Sequence, residues 1–198
     1  MGLSATAGTR QPPGPGHNNG PTLEPGNSWR KHAWTRARAD LLPTLPIEVL
    51  RLRVRRAQEL GLPYKTYASV RASTGRDVIG FLFSSNALDL YRKGQSLPQD
   101  LRTQLEGLVA CDRTGLAHPP LTAETLLELA PLDAAFPAPA PHLPWSGMRD
   151  HVKGVIRARR KPADGYLIIG ETPQERDWAE AAKAAGFLTG SRYFNPAP

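Results

Sequence analysis

The sequence predicts an α+β protein, predominantly helical, with a small sheet of two or three short strands. Two short apolar runs, Val78 to Phe83 and Tyr166 to Ile169, are strand-sized and bounded by turn residues. Several longer stretches instead repeat their apolar residues at helical spacing. A third short strand is expected over 190–194.

The elements follow in chain order. Residues 1–27 are rich in Gly, Pro, Asn and Thr and hold almost no large apolar side chain. Such a segment buries too little surface to offset its ordering entropy, so a disordered tail is expected. Ser28 suits the cap of a helix from Trp29 to about Leu42, stopped by Pro43. From Pro46 to Leu60, Ile47, Leu50, Val54 and Ala57 form one apolar stripe at spacings of three and four. Gly61 breaks that helix and Pro63 suits the first position of the next, which closes at Thr74-Gly75. Tyr64, Thr66, Ala68 and Val70 also alternate as a strand would, so 64–71 carries two readings, with Pro63 and Gly75 favouring the helix.

After the run 78–83, Ser84-Ser85-Asn86 is expected to cap a helix through Tyr91. Helices are expected over Leu97–Ala110, Thr122–Leu129 and Ser146–Lys161, and Phe136–Pro144 reads as a Pro/Ala linker. The chain should end as strand 165–169, helix 173–185 and an extended piece reaching Phe194. Thr172 and Glu175 flank Pro173 at the spacing of a capping box. The domain organisation expected is a tail (1–27), a basic helical domain (28–135), a linker (136–145) and a C-terminal segment (146–198) packing back on the main domain.

The net charge of +7 is unevenly placed. Residues 27–76 hold eleven basic and three acidic side chains, and residues 146–164 hold six and two. Between them, residues 77–145 hold four basic and eight acidic ones. Two basic patches around an acidic middle favour a polyanionic partner.

The stretch from Arg56 to Arg71 resembles a helix-turn-helix in its spacing. Ala57 lies four before the turn glycine Gly61, Leu60 and Leu62 flank the turn, and Tyr67 and Val70 can face inward. An ordinary helical hairpin has the same pattern. As a DNA-docking unit at 46–75 it would present Tyr64, Lys65, Ser69 and Arg71, with Arg51 and Arg55 beside them. On the helix 146–161, Arg149, Lys153, Arg157 and Arg160 align at spacings of four, four and three, as a phosphate-tracking or simply solvated face.

The expected function is therefore nucleic-acid binding, DNA first, in regulation or DNA processing, with no cofactor and with enzymatic activity left open. Two alternatives accompany it. One is a small α/β enzyme using strand-end carboxylates near Asp77, Asp164 and Glu171, with Mg²⁺ as a candidate ion. The other is an adaptor for an acidic protein. His17, His32, His118, His142 and His151 lack metal-ligand spacing, and the lone Cys111 cannot complete a zinc site. No glycine-rich phosphate loop occurs. A single cysteine, the absence of a signal-peptide pattern and the lack of any membrane-length apolar run point to the cytoplasm and away from a membrane. The excess of Arg over Lys fits GC-rich coding and a bacterial source.

Overall fold

The computed structural model describes residues 45–196. The Gly/Pro tail and the helix expected over Trp29–Leu42 lie outside the described residues. Two helices come first, α1 (Ile47–Glu59) and α2 (Tyr64–Thr74). Strands and helices then alternate: β1 (Gly80–Ser84), α3 (Gln99–Glu106), β2 (Asp112–Ala117), α4 (Ala123–Leu129), β3 (Ala134–Pro137), α5 (Trp145–Ala158), β4 (Tyr166–Gly170), α6 (Pro173–Ala182), β5 (Gly186–Thr189) and α7 (Gly190–Phe194).

The five strands form one sheet in the order β3-β2-β1-β4-β5, and every pair is parallel. This overturns the expected small sheet of a predominantly helical α+β protein. The architecture is α/β, an open parallel sheet with helices on both faces. Parallel neighbours need a crossover, and the helices at 99–106 and 123–129 are those crossovers rather than free-standing helices.

The two unforeseen strands are disguised by composition. β2 begins Asp112-Arg113-Thr114-Gly115, yet it lies in the sheet interior with Asp112 and Thr114 buried. β3 reads Ala-Ala-Phe-Pro, and its proline is tolerated because the strand is an edge. The piece at 190–194 is helix α7, capped by Thr189, and the last strand lies just before it. After β1, residues 85–89 form turns rather than a helix.

Side chains alternate across the sheet, as strand geometry requires. Phe81, Phe83, Leu167 and Ile169 pack with α1 to α4 and α7 on one face. Leu82, Leu116, Tyr166 and Ile168 pack with α5 and α6 on the other. Burial on both faces is why β1 and β4 read as unbroken apolar runs.

The hairpin of α1 and α2 forms as its spacing predicts, and 64–71 is helical. Gly61 takes φ +63°, in the left-handed region that glycine enters without a Cβ penalty, and Ala57, Leu60, Leu62 and Tyr67 are buried around the turn. The outer half of the α1 stripe is not core, since Ile47 is 62% exposed. At α6 the capping box is complete, with Thr172 accepting from the Glu175 N–H and Glu175 accepting from the Thr172 N–H.

Candidate functional site

The amino-terminal rim of the sheet carries an aspartate at or just before each of four strands: Asp77, Asp112, Asp133 and Asp164. Each meets an arginine. Arg56 Nε donates to Asp77 at 3.0 Å, and the Tyr67 hydroxyl donates to the same carboxylate at 2.8 Å. Arg159 reaches Asp112 through two nitrogens, at 2.9 and 2.6 Å. Arg113 Nη2 meets Asp133 at 2.8 Å, and Arg76 Nε meets Asp164 at 2.9 Å. Burial acts to raise the Asp133 carboxyl, but the hydrogen bonds and charge of Arg113 outweigh it and hold it below the ordinary range. For Arg159 the hydrogen bond it donates to Asp112 dominates and raises its pKa.

These pairs remove several cations from the basic excess. Arg56 is fixed further by carbonyls of Val78, Val109 and Ala110, so its role is to tie α1 to the rim. Arg71 turns back to Asp77 and the Tyr67 hydroxyl, at 3.7 and 3.4 Å. Arg51 pairs with Glu48 and Arg149 with Asp150, both on exposed surface. Tyr64 is half-buried against the core beneath α2. Lys65, Ser69 and Arg55 remain exposed.

The clearest gathering of the expected residues is at the end of α5. Lys153, Arg157 and Arg160 line one open cavity of about 370 Å³ together with Lys161. None of these four pairs with a carboxylate among the described residues. Arg160 stands just past the helix with φ +55°, a turn that ends α5. Lys161, the last residue of the helix expected over 146–161, completes the group. The α1–α2 residues pack on the opposite face of the sheet from α5. The described helices of the two basic segments thus lie on opposite faces, and at the rim Arg76 of the first pairs with Asp164 of the second.

The opposite rim, at the carboxyl ends of the strands, holds a different network. The order of the strands reverses between β1 and β4, the position where open α/β sheets form a crevice. Glu175 sits there fully buried. Its Oε1 accepts from Asn86 Nδ2 at 3.0 Å and meets His118 Nε2 at 2.8 Å. Its Oε2 accepts the N–H groups of Glu171 and Thr172 at 2.5 and 2.8 Å. The His118 ring stacks on Trp178, with centroids 5.5 Å apart. Buried Ser85 accepts the His118 N–H and so joins β1 to β2.

Burial opposes ionisation of Glu175, but the bonds from His118 and the two backbone N–H groups prevail and bring its pKa down to about 2. A carboxylate so saturated is a weak base; its chemistry here is to hold three strand ends together. Sequence spacing finds the capping half of its role and misses the other half, because Asn86 and His118 lie 89 and 57 positions away.

Asp77 and Asp164 precede β1 and β4, whereas Glu171 follows β4. Asp164 and Glu171 therefore stand at opposite rims, roughly 20 Å apart along the strand direction. The three carboxylates do not share a site. Among the described residues no group of three or more His, Cys, Asp or Glu could hold a metal ion, and no helix is long and apolar enough to cross a membrane. No family model, curated protein or solved structure matches this chain.

Proposed function

We propose that the protein binds nucleic acid, DNA first, with the cavity at the end of α5 as the principal phosphate-contacting surface. One observation carries this reading: Lys153, Arg157, Arg160 and Lys161 converge on one cavity with no carboxylate partner among the described residues. Arg56, Arg76, Arg113 and Arg159 are paired with rim aspartates, whereas these four cations have no such partner. Four like charges brought together repel one another, and a polyanion relieves that repulsion.

The hairpin supplies a second, separate contact. Lys65 and Ser69 are its outward residues on α2, with Arg55 on α1. Arg71 is engaged with Asp77, which leaves α2 with less charge than its sequence suggests. This supports backbone contact better than base readout. A cytoplasmic setting accompanies the reading, since nucleic acid and a single reduced thiol are both at home there.

The test is a salt titration of duplex DNA binding with nuclease-treated protein, read by fluorescence anisotropy. Four phosphate contacts predict a slope of log affinity against log salt of about −3.5. Lys153→Glu combined with Arg157→Glu should abolish binding at moderate salt while leaving the circular dichroism spectrum unchanged. Absence of affinity for duplex or single-stranded DNA at low salt refutes the proposal.

A further inference from the structure

The sheet is open along β5, whose outer side has no neighbouring strand. The register across β1, β4 and β5 aims the backbone N–H and C=O of Gly186 and Leu188 at β4 and turns those of Phe187 to the open side, where no loop or side chain among the described residues meets them. Beside this edge runs a groove of about 550 Å³ between α6 and β5. Arg176, Lys183 and Arg192 line it against one acidic residue, Glu180. Its apolar lining includes Phe187, over whose ring the Arg176 guanidinium lies at 5.4 Å.

We propose that this edge docks an extended, acidic segment of a partner protein, which adds beside β5 as a sixth strand. Main-chain bonds to Phe187 would supply the pairing, and alternate side chains of the incoming strand would enter the groove. β5 spans four residues, about 13 Å, which suits a short linear segment. The charge selects the occupant. None of the three cations is ion-paired among the described residues. A second copy of this chain would bring the same cations against themselves, and like charges facing across paired strands are destabilising. The charge that deters self-pairing at an exposed edge is the charge that attracts a strand bearing carboxylates. This surface is separate from the α5 cavity, so the two proposals stand or fall independently.

The experiment uses the full chain and a fluorescein-labelled eight-residue peptide of alternating Val and Glu. Its comparators are an alternating Val-Lys peptide, the Val-Glu peptide N-methylated at alternate amides, and an eight-nucleotide single-stranded DNA. The expected result is binding of the Val-Glu peptide, weakened at least about tenfold by Arg176→Glu with Arg192→Glu and by N-methylation. Hydrogen exchange at the Phe187 amide should slow in the complex. Both substituted arginines are exposed, so circular dichroism should confirm a retained fold. The proposal is overturned by no binding, by equal binding of the Val-Lys or N-methylated peptide, or by unchanged affinity of the charge-reversed variant. It is likewise overturned if the DNA displaces the peptide from the groove, or if sedimentation shows a dimer that the charge reversal alters.

Discussion

His118 Nε2 and Glu175 Oε1 meet at 2.8 Å although they lie 57 positions apart, and their contact joins the end of β2 to the first turn of α6. Asn86 brings the end of β1 to the same oxygen. The switch point of the sheet is thus closed by one buried carboxylate.

Acid should loosen this closure first. The folded pKa of Glu175 lies at about 2, below the ordinary glutamate value, so its contribution to stability is fully present above the unfolded pKa and is lost as pH falls through the folded one. The window runs from about pH 4.5 down to about pH 2, and about 3 kcal/mol is at stake. Urea denaturation at stepped pH should show this loss in the natural protein and a shallower one in Glu175→Gln. Glu175→Ala, which orphans Asn86, His118 and two backbone donors, should cost about 3 kcal/mol or more at pH 7.

The rim pairs should differ sharply in worth. Asp112 has a side chain only 5% exposed, so Arg159→Ala leaves a buried carboxylate without its partner and should cost about 3 kcal/mol. The Arg76 and Asp164 side chains are 61% and 43% exposed, and Arg76→Ala should cost less than about 1 kcal/mol. Equal losses in the two variants would contradict the burial argument.

Two glycines predict opposite outcomes for the same substitution. A Cβ on Gly115 would stand 2.6 Å from Leu132 Cδ1 and 2.8 Å from Leu126 Cδ2, so Gly115→Ala should destabilise by about 1–3 kcal/mol. Gly154 lies within α5 with nothing in reach of an added Cβ, and Gly154→Ala should stabilise by about 1 kcal/mol. Thermal melts of the pair check both signs.

Cys111 should be a slow thiol. Burial raises its pKa to about 11, with nearby Arg56 and Arg113 opposing only in part. Thiolate at pH 7.5 is then scarcer than for an ordinary cysteine by about two powers of ten. Alkylation by iodoacetamide should be slow in the folded protein and speed up in urea; a rate matching a free thiol would contradict this.

What was legible follows from distance along the chain. The turn at Gly61 and the capping box of Thr172 and Glu175 each lie within a few residues, and the α1–α2 hairpin and the cap both form at those places. β1 and β4 announce themselves as apolar runs because both faces of each are covered. β2 was hidden because Asp112 makes its start look like a loop. A buried aspartate there is tolerable only with Arg159, which arrives 47 residues later. Among the expected site residues, Lys153, Arg157 and Arg160 share one helix end and gather as spacing implies. Arg71 does not join a free patch, because Asp77 lies within reach once α2 turns into β1.

By itself, then, the sequence determined the α1–α2 hairpin, strands β1 and β4, the capping box of α6 and the two segments in which basic residues concentrate, since each depends on neighbours a few positions apart. Only the tertiary structure decided that five strands run parallel in one sheet, and which of the arginines are held by aspartates at its rim. It also decided that α1 and α2 pack on the opposite face of the sheet from α5, and that Glu175 knots three strand ends. The physical reason is common to all of these. Strand pairing and ion pairing across a sheet are contacts between distant residues, satisfied by hydrogen bonds and charge that no local pattern records.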